Sequence, residues 1–177
     1  MKLPFSFRPV NDGDTEFLFR LYATTRPEIQ QLIDWSAEQK DQFLRMQFQA
    51  QQTHYKSHFP ATECSIIVNR KRKPIGRFYL EQRQDEFRII DISLLPDHRR
   101  KGVGSTIIRD VMDRGRLACL PVRLHVARQN PALSWYTRMG FETIGETDMS
   151  FLMEWSSSQS AEIAVSGLSN QIDGSTR

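Results

Sequence analysis

The spacing of apolar and polar positions divides the chain into short segments of two different periods. Phe5 to Pro9 alternate as a short strand does, and Asn11-Asp12-Gly13-Asp14 follows with turn chemistry and a side chain suited to cap a helix. From Asp14 onward Phe17, Leu18, Leu21 and Tyr22 recur at helical spacing until Arg26-Pro27 interrupts them. A second helix is expected over about residues 36–55. Its buried face would carry Leu44, Phe48 and Tyr55, with Gln47, Gln51 and His54 turned aside, and His58 and Pro60 would close it.

The period then falls to two. Residues 64–68, 75–80 and 88–95 read as three strands joined first by a basic turn and then by a polar one, an antiparallel meander. Helical spacing returns over 102–118 through Val103, Ile107, Ile108, Val111 and Met112, and Pro121 stops a longer helix. Residues 122–126 form another strand. Asn130-Pro131 opens a short helix to Met139, Gly140 ends it, and Phe141 starts two closing strands that finish near Trp155. The pattern predicts one α/β domain over 1–155, a mixed sheet with flanking helices. From Ser156 the composition turns polar, so 156–177 is expected to be a flexible C-terminal tail.

Composition narrows the function classes. A chain of 177 residues, 39% hydrophobic and 25% charged, is long enough for one core without disulfides or a structural metal. A net charge of +3 is weak support for nucleic-acid binding, so Arg70-Lys71-Arg72-Lys73 reads first as the charged tip of a hairpin. No apolar run approaches the roughly 18 residues that span a bilayer, and the first residues lack the apolar core of a leader, so no membrane role and a cytoplasmic location are expected. Cys64 and Cys119 stand in neither a CxxC nor a Cys/His spacing and read as two buried thiols. His54 and His58 lie four apart but lack a third ligand, so no metal is assigned.

One stretch carries chemistry: Asp91-Ile92-Ser93-Leu94-Leu95-Pro96-Asp97-His98-Arg99-Arg100-Lys101-Gly102-Val103-Gly104, an apolar strand running into a basic, glycine-rich helix start. The first N–H groups of a helix have no intrahelical partners and carry the positive end of its dipole, so they attract an anion. Glycine at 102 and 104 lets a phosphate approach the backbone, and Arg99, Arg100 and Lys101 add positive charge. A second element follows at 130–141, Asn130-Pro131-Ala132-Leu133-Ser134-Trp135-Tyr136-Thr137-Arg138-Met139-Gly140-Phe141.

Together these segments resemble the GNAT superfamily of acyl-coenzyme A dependent N-acetyltransferases, through Arg99-x-x-Gly102-x-Gly104 and Tyr136-x-x-x-Gly140-Phe141. The likeness runs through most of residues 5–155 and is strongest from Asp91 to Phe141. It implies a single-domain GNAT fold, a mostly antiparallel mixed sheet of about seven strands flanked by about four helices. It also implies transfer of an acetyl group from acetyl-CoA, as co-substrate, to a primary amine by direct attack in a ternary complex. The amine could be a small molecule, an amino acid or a protein N-terminus. The pantetheine arm would bond the backbone around Ser93, Leu94 and Leu95, and the pyrophosphate would rest on the amides from Arg100 through Val103 to Ser105. Asn130 would reach the cofactor from the other side, and Tyr136 would lie near the sulfur.

The chemistry sets the remaining roles. A lysine-like amine, with a pKa of roughly 10.4, must lose a proton before it attacks. Asp91 or Glu81, directly or through water held by Ser93, is the candidate base, and Tyr136 the candidate acid for the leaving thiolate. The plainer readings are that Asp91 pairs with an arginine or faces solvent, and that Tyr136 packs beside Phe141. Family likeness places Glu28, Trp35 and the Gln47 face near the acceptor. Two other functions stay open: an acyl-CoA sensor without catalysis, and acylation of a charged transfer RNA. A homodimer is compatible with the sequence.

Overall fold

Asn11 decides where the first strand gives way to helix. Its side chain accepts the Gly13 N–H at 3.0 Å, and Asp14 returns a bond to the Asn11 N–H at 2.9 Å, a reciprocal cap on the turn that leads into α1 (Thr15–Ala23). Arg8, on β1 (Phe5–Pro9), grips the same Asp14 carboxylate through both terminal nitrogens, at 2.7 and 2.6 Å. The computed structural model describes residues 4–157, and the expected tail lies outside the described residues from 158 onward.

After α1 a single turn, α2 (Pro27–Gln30), precedes α3 (Ala37–His58), which Ser36 and Gln39 cap reciprocally. Four elements of the sheet follow as β2 (Glu63–Asn69), β3 (Pro74–Gln82), β4 (Phe87–Leu94) and, after α4 (Val103–Ala118), β5 (Val122–Ala127). A short α5 (Leu133–Arg138) leads to β6 (Glu142–Glu146) and β7 (Ser150–Trp155). The seven strands are ordered β1-β2-β3-β4-β5-β7-β6, with β4 and β5 parallel and the other recorded pairings antiparallel. This is the α/β fold class expected from the alternating periods.

The chain groups into two units, one of residues up to Glu81 with Asp91–Gly104, the other of Gln82–Ile90 with the residues from Ser105 onward. In the first, α1 and α3 cover one face with Phe17, Leu18, Phe19, Leu21, Tyr22, Leu44 and Phe48 packed against Ile66 and Val68. In the second, Ile107, Ile108 and Val111 of α4 are buried, as are Val122, Leu124 and Val126 at alternate positions of β5. Gly115 lets α4 come close to its neighbours, because a Cβ there would lie 2.8 Å from the Leu120 carbonyl oxygen and 3.0 Å from Val122.

Three local expectations differ from the structure. The single turn α2 was not anticipated, since four residues carry too little periodicity to show. Helix α3 runs three residues past Tyr55, to His58, whose ring stacks on His54 with 4.1 Å between centroids. Cys119 is exposed rather than buried. It takes a left-handed conformation, φ 55°, where α4 ends and the Leu120 N–H turns back to the Gly115 carbonyl.

The second unit also buries a carboxylate. Glu86 is 2% exposed and accepts hydrogen bonds from Arg83, Arg88 and Arg123 at 2.8 to 3.1 Å. Burial alone would raise its pKa, but the hydrogen bonds and charges of Arg88 and Arg123 outweigh burial and hold it below the ordinary glutamate value. A depressed carboxylate stabilises the fold above the unfolded pKa of about 4.3 and loses that contribution as pH falls through the lower folded value. Urea midpoints should therefore drop below about pH 4, and Glu86→Gln should be less stable than wild type at pH 7, with the gap closing as acid is added. A gap independent of pH would remove the ion-pair account of this residue.

Candidate functional site

The end of β4 is where strand becomes helix, and its geometry is set by hydrogen bonds that hold the turn open. The parallel ladder with β5 covers only Phe87↔Val122, Arg88↔Arg123 and Ile89↔Leu124, while β4 itself continues to Leu94. On the β3 side the Leu95 N–H donates to the Ile75 carbonyl at 2.9 Å, so strand alternation turns the Leu94 amide to the opposite edge. Gly76 lets β3 approach this stretch, because a Cβ there would overlap the Ser93 carbonyl oxygen and the Leu94 side chain.

Beyond Leu94 a short turn over Pro96–His98 leads to Arg99. Arg99 does not extend into solvent as free charge. Its Nε donates to the Leu94 carbonyl at 2.8 Å, and its Nη2 donates to Thr24 at the end of α1, to Oγ1 at 2.9 Å and to the carbonyl at 3.2 Å. The side chain therefore fastens the turn to the strand it leaves and to α1. Arg100 (φ 56°) and Gly102 (φ 81°) both take left-handed conformations just before α4 begins at Val103. The Arg100 and Lys101 amides make no hydrogen bond to any described residue. Around Gly102 a Cβ would meet nothing within 4 Å, so its requirement for glycine comes from φ and the space over the backbone is open. Unbonded amides, a helix start and room above them suit the diphosphate of coenzyme A.

Asp91 and Ser93 lie two apart on β4 and share one face. Asp91 is fully engaged there. Its Oδ2 accepts from Arg77 Nη2 at 2.5 Å and from the Tyr55 hydroxyl at 2.8 Å, and its Oδ1 accepts from Ser93 Oγ at 2.7 Å. Arg77, 2% exposed on β3, also donates to Gln51 of α3 at 2.9 Å. Among the described residues its Nε and Nη1 find no hydrogen-bond acceptor, and the guanidinium lies near the Tyr79 and Tyr55 rings, 5.4 and 5.8 Å from their centroids. Burial would lower the Arg77 pKa, but the charge and hydrogen bond of Asp91 together with Tyr55 and Tyr79 outweigh it and raise the value above that of an ordinary arginine. Burial, then the Asp91 charge, pushes the Tyr55 phenol well above the usual tyrosine range, and burial takes Tyr79 up to about 12. Of the two plain readings of Asp91, pairing with an arginine is the one observed.

In the second unit the Asn130 side chain accepts the Ala132 N–H at 2.9 Å and so shapes the entry to α5, leaving its amide nitrogen for other partners. Tyr136 is 6% exposed and meets Phe141 edge to face at 5.7 Å. Gly140 (φ 94°) ends the helix as expected. Ser105 accepts the Trp135 indole N–H at 3.3 Å.

The acceptor candidates are dispersed over separate contacts. Glu28 is exposed on α2, Trp35 packs edge-on against Phe43 at 5.2 Å, and Gln47 accepts from the Tyr22 hydroxyl at 3.2 Å. Gln47 and Gln51 do not turn aside on α3. Both point inward to polar partners, Tyr22 and Arg77, which a reading by hydrophobicity alone could not show. Arg77, Tyr55, Tyr79 and Gln51 were missed as site residues. The available signal was a charged residue inside each of two apolar strands, Arg77 in β3 and Asp91 in β4, a pair that burial obliges to meet.

The sequence pattern that defines the acetyltransferase (GNAT) family matches residues 26–141, more than half of the chain. The chain belongs to the GNAT acetyltransferase family. Among curated proteins no sequence match is found. Solved GNAT-fold structures share its architecture. A PaiA N-acetyltransferase from Thermoplasma acidophilum, in complex with coenzyme A, has a TM-score of 0.64 and 18% identity, covering 88% of this chain and 100% of that one. A spermidine N-acetyltransferase from Vibrio cholerae, in complex with CoA and spermine, has a TM-score of 0.59 and 20% identity, covering 89% and 98%. An acetyltransferase from Thermus thermophilus has a TM-score of 0.60 and 13% identity, covering 88% and 98%. At such identities the likeness is one of fold, and it agrees with the GNAT fold expected from the two motifs. In this GNAT chain no helix among the described residues is long and apolar enough to cross a membrane.

Breaking a buried ion pair by removing one partner leaves a charge without compensation and costs about 3–5 kcal/mol. Arg77→Met should lower unfolding free energy in urea by that order, and Arg77→Met/Asp91→Leu should recover part of the loss. A change under about 1 kcal/mol for the single variant, the value of an exposed pair, would contradict the burial described for Asp91.

Proposed function

We propose that this GNAT protein transfers an acetyl group from acetyl-CoA to a primary amine by direct attack within a ternary complex. The observation that carries the reading is the turn at the end of β4, with unbonded amides at Arg100 and Lys101 and open space over Gly102. Acetyl-CoA supplies the activated acetyl thioester. The amides from Arg100 through Val103 and Gly104 to Ser105 would hold its pyrophosphate, with Lys101 and Arg100 adding charge, while Arg99 holds the turn in shape. Of the backbone expected to hold the pantetheine arm, Leu94 faces the edge of β4 away from β3 and would bond it, whereas the Leu95 N–H is taken by Ile75 and its carbonyl by His98. Alternation turns Ser93 to the same side as Leu95, and Asn130 would offer its free amide nitrogen to the same molecule.

For the proton that the amine must lose, we assign Ser93 Oγ as the group that accepts it while passing its own proton to Asp91 Oδ1, the bond already present at 2.7 Å. Arg77 and Tyr55 keep that carboxylate in place. Tyr136 is the proposed acid that returns a proton to the departing sulfur. Glu28, Trp35 and Gln47 are the proposed acceptor side, where an exposed carboxylate suits a cationic amine. A polyamine is the first acceptor to test, since the similar fold from Vibrio cholerae was solved with spermine.

The test is thiol release from acetyl-CoA with a panel of polyamines, amino acids and peptide N-termini. Wild type should turn over at least one class. Tyr136→Phe and Ser93→Ala should each lower kcat by about 10²-fold with KM for acetyl-CoA little changed, and Gly102→Glu should abolish cofactor binding. Tight binding of acetyl-CoA with no release against any amine would replace the enzyme reading by that of an acyl-CoA sensor.

A further inference from the structure

Helices α1 and α3 each carry a row of residues at the same spacing. Glu16, Phe19, Arg20 and Ala23 stand at i, i+3, i+4 and i+7 on α1, and Ala37, Lys40, Asp41 and Leu44 stand so on α3. All of these but Glu16 line an open trough of about 390 Å³, to which α2 adds Gln30. Its base is apolar. Phe19 and Leu44 are 5% and 2% exposed, and the small side chains of Ala23 and Ala37 leave the space beside them free. The trough is bounded at both ends. At one, Arg45 of α3 pairs with Glu16 at 3.2 Å and with Asp41 at 2.8 Å, its guanidinium 4.0 Å from the centre of the Phe19 ring. At the other, Lys40 Nζ donates to the Gln30 carbonyl at 3.1 Å and fastens the single turn of α2 to α3.

The charges around this base do not cancel. Among the described residues neither Arg20 nor Lys40 has a carboxylate within ion-pair distance. Asp41 is the one carboxylate in the lining, and Arg45 already holds it. Glu28 and Glu38 are exposed and lie outside the lining. With Arg45 and Glu16 included, the charged groups are three cations and two carboxylates, an excess of one positive charge. A ligand suited to the trough therefore combines an apolar body for the base with one negative charge for Arg20 and Lys40. A second negative charge would be repelled by Asp41 and Glu16. Ends bounded by side chains admit a small molecule and turn away a polypeptide that has to continue, and the volume is within the roughly 300–1,000 Å³ range of small-ligand sites.

We propose that the trough between α1 and α3 is a second ligand site, which takes a small monocarboxylate with an apolar body. The carboxylate is held by Arg20 and Lys40, and the body lies against Phe19, Ala23, Ala37 and Leu44. None of these residues is among those assigned above to the cofactor, to proton transfer or to the acceptor, so the inference goes beyond the acyl-transfer reading and does not depend on it.

The experiment follows backbone amide signals of the full chain by NMR as 4-phenylbutyrate, the neutral 4-phenylbutyramide or the cationic 4-phenylbutylamine is added, at low and high salt. Wild type should bind the carboxylate about tenfold more tightly than the amide, and the amine least, with the margin shrinking as salt is raised. The shifts should centre on Ala23, Gln30, Ala37 and Leu44. Arg20→Gln/Lys40→Gln should lose the margin while its affinity for the amide changes less than twofold. Ala23→Leu, which narrows the trough and leaves its charge alone, should weaken carboxylate and amide alike by about tenfold. An unchanged melting temperature verifies folding, and if either variant melts early the three ligands on wild type decide alone. Absence of saturable carboxylate binding, equal affinity of wild type for carboxylate and amide, or shifts centred elsewhere would overturn the inference. A margin retained by the double variant would overturn it as well. A peptide ending in phenylalanine that moves the same signals about tenfold more tightly than 4-phenylbutyrate would assign the trough to a polypeptide terminus and so contradict the small-molecule assignment. Each of these results leaves the acyl-CoA reading intact.

Discussion

A strand that outruns its neighbour's ladder leaves backbone groups in need of partners, and β4 meets that need unequally along its length. Up to Ile89 it is laddered with β5, and at Leu95 its amide is taken by β3. The Leu94 carbonyl is met by Arg99, whose other contacts reach Thr24 on α1. What is left over is concentrated just beyond, at Arg100 and Lys101, where two positive φ values turn the chain into α4. An unpaired amide is tolerable where water or a ligand can reach it. The proposed diphosphate site thus rests on amides for which the described residues supply no acceptor, and the glycine at 102 is required by dihedral angle rather than by crowding.

The same strand has a second task on its face. Asp91 and Ser93 direct their side chains toward a buried network of Arg77, Tyr55 and Gln51 that ties β4 to β3 and α3. A charged pair in an apolar setting is held only by good geometry, so its members are not free to drift. The edge groups proposed for a cofactor and the face groups proposed for proton movement therefore lie on one strand, which this network ties to β3 and α3. Arg77 fits this as a positioning residue, with its remaining N–H groups set near aromatic rings instead of acceptors.

Much of this was legible from residue order. The shift from helical to alternating period marked the sheet, and the glycine and arginine spacing at 99–104 marked the turn that the structure leaves open. The rest escaped for physical reasons. Polar side chains on the inward face of α3 look like solvent-facing ones until their partners are known, as Gln47 and Gln51 demonstrate. Arg77 lies 14 residues from Asp91, and only strand pairing brings them within a hydrogen bond. Arg99 was read as charge for a phosphate, and its bonds to Leu94 and Thr24 depend on where α1 ends, which no local pattern reports. The basic turn at 70–73 was read as a hairpin tip, which it is, and its nearness to the turn after β4 follows from β3 and β4 running side by side.

Amide hydrogen exchange resolved to single residues, with and without coenzyme A, tests the central claim most directly. The account predicts that saturating coenzyme A slows exchange most at the Arg100 and Lys101 amides, which have no acceptor among the described residues, and at Leu94, whose amide faces the edge of β4 away from β3. Unchanged exchange at those amides, with protection appearing elsewhere in the chain, would contradict it.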